Sequence, residues 1–115
     1  MYTILHNSRC GKSRDAIKLL DELGVDYQVR EYLKDELSFD ELKKIISILG
    51  IKPIELVREN ESLWKDEFKG KAFSDDELIH VMVENPKLIQ RPIILGEGKG
   101  IIGRPVELID RFIKK

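Results

Sequence analysis

The chain has 115 residues, 42% hydrophobic and 36% charged, which suits one domain that buries a core without disulfides or a structural metal, and no apolar run approaches the roughly 20 residues of a membrane helix. Twenty basic and 21 acidic residues are interleaved for a formal charge of -1, so no tail or stripe marks a nucleic-acid or phospholipid partner. The first residues, MYTILHNSRC, lack a basic segment, an apolar core and a small-residue cleavage site, so a soluble, cytoplasmic protein is expected.

Residues 2–6, YTILH, are β-branched and aromatic-rich and predict a first strand ending at His6. The period then changes. Ala16, Ile17, Leu19, Leu20 and Leu23 recur at helical spacing before Gly24, which predicts an amphipathic helix over about residues 11–23 with Cys10 at its first turn. DYQVREY, residues 26–32, reads as a second strand, and the β-α-β unit so formed implies a parallel, right-handed crossover. Ser38 and Glu41 have capping-box spacing, and Leu42, Ile45, Ile46 and Leu49 carry that helix to Gly50. A helical insertion begins here. Pro53 suits a first helical turn, and the segment to about Lys71 is polar, anchored by Leu63, Trp64 and Phe68. Ser74 and Glu77 repeat the capping-box spacing ahead of Leu78, Ile79, Met82 and Val83, predicting a helix at about 75–85 ended by Asn85-Pro86. PIIL and GIIG, separated by GEGK, read as a β-hairpin. After Pro105, Val106, Ile109, Phe112 and Ile113 predict a last helix with Lys114 and Lys115 at its C-terminal end. Asp35, Glu36, Asp40, Glu41, Asp75, Asp76 and Glu77 sit around predicted helix starts and read as partners of the helix dipole rather than metal ligands. The order β-α-β, helices, β-β-α is that of an α/β protein in a single domain, 1–115, without repeats or linkers.

Cys10 is the only cysteine, so no internal disulfide can form and any oxidised state must involve another molecule. A lone cysteine is commonly a small buried hydrophobe. Its place at a helix start, with Arg9, Lys12 and Arg14 nearby and His6 within reach, points instead to a thiol of depressed pKa. CGKS puts Ser13 where a dithiol motif has its second cysteine, and Arg14 is four residues on, not the six of a cysteine-phosphatase loop. Ser13 either hydrogen-bonds a thiolate or oxyanion or acts as an ordinary first-turn cap; both readings stand. Arg58, Arg91 and Arg104 each interrupt a largely apolar context, and two precede proline. Surface ion pairs would explain them singly. Together they could form a clamp for a tetrahedral oxyanion, because guanidinium groups bind such oxygens bidentately and stay charged.

The motifs HN-x-x-CG-x-SR (residues 6–14), L-x-R-x-N around Arg58, FSDDELI before the 75–85 helix, P-x-L-I-x-RPI around Arg91 and a final RP occur in order from end to end. With them the chain resembles the glutaredoxin-dependent arsenate reductase family, of thioredoxin-like fold. The resemblance implies that Cys10 is the nucleophile, that Arg58, Arg91 and Arg104 bind the oxyanion, that His6, Ser13 and Arg14 support them, and that Pro92 is the cis-proline of thioredoxin-like folds. It implies arsenate as substrate, glutathione as co-substrate and glutaredoxin as partner, with no metal or bound organic cofactor; His6 and His80 form no ligand cluster with Cys10. One departure is Ser8, where the family has proline two residues before the cysteine.

Two other readings resemble parts of the chain. Spx-type regulators share the fold and bind RNA polymerase, but usually carry Cys-x-x-Cys, against Ser13 here. Glutaredoxin-like monothiol proteins carry CGFS, close to CGKS, but have Thr-Val-Pro where this chain has Gln90-Arg91-Pro92.

Overall fold

The computed structural model describes residues 1–104 and 106–114, with only the backbone of Lys114. Pro105, from the final RP motif, and Lys115, from the helix-terminal lysine pair, lie outside the described residues. The chain divides into two compact units, Met1–Asp35 with Arg91–Lys115, and Glu36–Gln90.

In the first unit β1 (Tyr2–Leu5) leads into α1 (Gly11–Leu23) and β2 (Tyr27–Arg30), and the chain later returns as β3 (Ile93–Gly96), β4 (Lys99–Ile102) and α5 (Glu107–Lys114); the intervening helices are α2 to α4, below. The sheet order is β2-β1-β3-β4, with β1 parallel to β2 and β3 antiparallel to both β1 and β4. The β-α-β half, the β-β-α half and the helical segment between them follow the thioredoxin-like plan that the motifs imply. Side chains alternate across a strand, so Ile4 and its partner Ile94 face one way while Leu5 and its partner Ile93 face the other. Ile4 and Ile94 meet Ala16 and Leu20 of α1 and Ile109 of α5, and all five are fully buried. Each large apolar side chain so buried contributes about 1.5–3 kcal/mol relative to exposure, which ties both helices to one face of the sheet.

α1 spans the expected residues because its apolar stripe and its stop are both local: Gly24, at φ 69°, takes the left-handed conformation that a side chain would strain. The hairpin also forms, one residue off the expected strand limits. Gly96 pairs with Lys99, leaving the two-residue loop Glu97-Gly98, both at positive φ, as a type I′ turn demands. A Cβ on Gly96 would run into the Tyr2 ring. β2 is shorter than the expected 26–32, because Glu31 starts a tight turn whose carbonyl accepts from the amides of Lys34 and Asp35, each at 2.9 Å.

The second unit is helical: α2 (Phe39–Leu49), α3 (Pro53–Leu56), a π-helical turn (Trp64–Phe68), α4 (Asp75–Glu84) and a 3-10 turn (Pro86–Leu88). Both capping boxes form. The Ser38 hydroxyl accepts from the Glu41 amide and the Ser74 hydroxyl from the Glu77 amide, and each glutamate returns the bond to its serine's amide. Asp40 and Glu41, and Asp75 to Glu77, occupy first helical turns as the dipole favours. Asp35 and Glu36 do not; Asp35 instead pairs with Arg30 at 3.3 Å. Val57 bridges Ile89, flanked by bonds from the Arg58 amide to the Leu88 carbonyl and from the Gln90 amide to the Leu56 carbonyl. No described helix is long and apolar enough to cross a membrane.

Candidate active site

The residues after β1 form a tight turn that delivers Cys10 to the start of α1. The Cys10 amide donates to the Asn7 carbonyl at 2.9 Å, and the Asn7 side-chain oxygen accepts from the Arg9 amide at 3.0 Å. Ser8 thus sits at the second position of this turn. Its carbonyl is fixed by Arg14 Nη1 at 3.0 Å. The turn is therefore closed without proline, by Asn7 from within and Arg14 from the helix. Asn7 is buried and was not among the candidate residues; its signal in the sequence was the preference of asparagine for the first position of such turns.

Cys10 is the N-cap residue of α1 and half-buried. No tight side-chain cap bond closes this helix end, yet the amides of Ser13 and Lys12 act on the sulfur. Burial pushes the thiol pKa up; the Ser13 amide, a hydrogen bond from Arg91, the Lys12 amide and the Arg91 charge outweigh it and bring the pKa down to about 7. About half of the sulfur is then thiolate at neutral pH, against a few per cent for an ordinary cysteine.

The arginine that acts on the sulfur comes from the far end of the unit. Arg91 is buried, 8% exposed, just before β3, and is joined to Pro92 by a cis peptide bond. Arg104 follows β4; its Nε donates to the Arg91 carbonyl at 2.6 Å and its Nη2 reaches Cys10 Sγ at 3.7 Å. The β3-β4 hairpin brings the two arginines together: the Gly103 amide donates to the Pro92 carbonyl at 2.9 Å, closing the ladder just before Arg104. Any Cβ on Gly103 would press on Ile109 at 2.7 Å, so glycine lets the chain pass here.

Cys10, Arg91 and Arg104 are thus brought together. Arg58 belongs to the Glu36–Gln90 unit, where its Nη1 bonds Glu61 at 2.6 Å. Of the residues expected to support the cysteine, Arg14 is spent on the Ser8 carbonyl. Ser13 is fully buried, and its hydroxyl has no protein partner, so it makes no first-turn cap; its contribution to the sulfur comes through its amide. His6 is buried and its pKa is held below the usual value by burial first and by Arg14, with Glu31 and the Ser13 backbone opposing. It is therefore neutral near pH 7 and lends the thiolate no charge. Arg9 and Lys12 are exposed. Among the described residues no three His, Cys, Asp or Glu side chains are placed to hold a metal ion.

A thiolate at a helix start, flanked by two guanidinium groups, can attack the central atom of an oxyanion whose oxygens those groups hold. Residues 5–112 match the model of the ArsC family. The chain belongs to the ArsC family. An arsenate reductase of Neisseria meningitidis is 37% identical over 112 residues, covering 96% of both chains. The solved structure of an arsenate reductase from Vibrio cholerae superposes with a TM-score of 0.90 at 38% identity, covering 96% of this chain and 95% of that one. Escherichia coli K12 YfgD, described as uncharacterised, is 42% identical over 108 residues, covering 92% of this chain and 91% of its own. Like its structural relatives, this ArsC-family chain has a thioredoxin-like fold.

Proposed function

We propose that the protein is an arsenate reductase that uses Cys10 as its nucleophile and takes its second thiol from glutathione. The observation that carries this is the meeting of Arg91 and Arg104 at a cysteine whose pKa is about 7, in a chain of the ArsC family. The two guanidinium groups hold arsenate oxygens. Cys10 thiolate attacks arsenic, and one oxygen leaves as water after protonation. Glutathione thiolate then attacks Cys10 Sγ; a sulfur-sulfur bond forms, the sulfur-arsenic bond breaks, and its electron pair stays on arsenic, which is reduced from the +5 to the +3 state. Arsenate and two thiols thereby give arsenite, one disulfide and one water. Cys10 is the sole cysteine, so the disulfide joins protein to glutathione, and glutaredoxin restores the thiol. The chemistry calls for no metal or bound organic cofactor.

Arsenate-dependent NADPH oxidation, coupled through glutathione, glutathione reductase and glutaredoxin, tests the reading. The wild type should sustain it and Cys10→Ser should not. A wild type that shows no arsenate-dependent rate with several glutaredoxins, while its thiol stays reactive, overturns the proposal.

A further inference from the structure

A cavity of about 230 Å³ opens beside the turn that delivers Cys10. Two stretches of the same unit wall it: His6, Asn7 and Arg9 from the loop after β1, and Glu31, Leu33 and Lys34 from the chain leaving β2. His6 and Asn7 are buried and hydrogen-bonded through their backbones, which makes that wall firm. Arg9 and Lys34 are exposed cations, Glu31 stands 3.9 Å from Lys34, and Leu33 is 40% exposed. Neither Arg91 nor Arg104 lines the cavity, so it is distinct from the place where those arginines meet the sulfur. Cys10 directly follows Arg9, and its amide is tied to the Asn7 carbonyl; cavity and thiol therefore lie at two ends of one turn.

The proposed reaction needs a second thiol close to Cys10, and the inference rests on that reading. We propose that this cavity seats the outside thiol, a small peptide bearing two carboxylates and one ammonium group. Two cations and one carboxylate on the wall are the complement of those charges, and Leu33 offers an apolar surface to the peptide's methylene groups. The volume lies below the roughly 300–1,000 Å³ of pockets that enclose a whole drug-sized ligand. It therefore takes one end of the peptide and leaves the thiol outside, toward Cys10. There the peptide thiolate forms the sulfur-sulfur bond while the sulfur-arsenic bond breaks, with the electron balance given above. The charged wall is exposed, so the attraction is modest and weakens with salt.

S-methylglutathione, which cannot form a disulfide, is the probe. Titrated into the full chain without arsenate and followed by amide NMR, it should shift residues 6–9 and 31–34 saturably. The double reversal Arg9→Glu with Lys34→Glu should weaken binding by about 5-fold or more, the worth of two exposed charge contacts. In turnover the same variant should raise KM for glutathione and leave KM for arsenate unchanged. No saturable shift, shifts confined to other residues, or equal affinity in the variant overturns the inference. Saturable binding at these residues by a protein that never reduces arsenate keeps the cavity and overturns the reductase reading. Turnover whose KM for glutathione ignores both reversals overturns the cavity alone.

Discussion

Replacing Arg91 with methionine removes one guanidinium from Cys10 and keeps a side chain of similar length in a site only 8% exposed. Arg91 lowers the thiol pKa twice over, by a hydrogen bond and by its charge, against a burial effect that pushes it up. A hydrogen bond to a charged group contributes about 1.5–3 kcal/mol, and one pKa unit corresponds to about 1.4 kcal/mol. The pKa should rise from about 7 by about one to two units, so the thiolate fraction at neutral pH should fall from about one half to between about one in ten and one in a hundred. Alkylation by iodoacetamide, followed from weakly acidic to alkaline pH, reads the pKa directly. Arg91→Lys keeps the charge without the fork-shaped donor and should fall between the two. Circular dichroism establishes that each variant is folded before its profile is compared. Superimposed profiles for folded wild type and Arg91→Met would refute any share of Arg91 in the low pKa, leaving the Ser13 and Lys12 amides as its source.

Ser8→Pro should stabilise the protein by about 0.4–1 kcal/mol, because proline suits the second position of the turn and restricts the unfolded chain; a lower melting temperature would mean that the Ser8 backbone does not fit proline. Asn7→Ala should cost about 1 kcal/mol in urea unfolding through loss of the Arg9 amide bond, and an unchanged midpoint would remove Asn7 from the turn's support. Gly103→Ala should destabilise by about 1–3 kcal/mol, since its methyl group must displace Ile109, whereas an unchanged melting temperature would show that Ile109 yields freely. Stability should also rise with pH. Folded Cys10 and His6 both have lowered pKa values, so the unfolded chain binds more protons and folding gains as they leave. The Cys10 share is lost as pH falls through about 7 and is complete above the unfolded value of about 8.5; the His6 share is complete above about 6.5 and lost below it. Cys10→Ser should flatten the upper part of the urea-midpoint profile alone, and an identical profile would contradict the thiolate's link to folding.

Where an element's signal was local, the sequence was sufficient. α1, α2 and α4 carry their apolar stripes and stops or capping boxes within their own residues, and they form within about one residue of the expected limits. The stretch from Pro53 to Lys71 was less legible. Only one short helix and a π-helical turn form there, and Trp64 and Phe68 of that turn pack with Phe73 beyond it, contacts that no periodicity encodes. The site divides the same way. Cys10 at a helix start was readable from the strand, the helix and the turn residues between them. Part of the source of its low pKa was readable too, since the amides of Ser13 and Lys12 at that helix start lower it; the share of Arg91 was not, because the cations nearby in sequence were Arg9, Lys12 and Arg14. Arg14 serves the Ser8 carbonyl, while the guanidinium that reaches the sulfur arrives from the other end of the chain through the pairing of β1 with β3. Ser13 stayed open for a related reason: its amide, not its hydroxyl, acts on the sulfur, and the residue type alone does not tell the two apart.

A single turnover without glutaredoxin tests most directly whether Cys10 forms a disulfide with an outside thiol at the cost of arsenate. Protein, arsenate and glutathione are mixed, arsenite is quantified, and the intact protein is weighed by mass spectrometry. One arsenite should appear for each protein that gains one glutathione at Cys10, and Cys10→Ser should give neither. Arsenite without that adduct, or an adduct that forms equally well without arsenate, would contradict the mechanism.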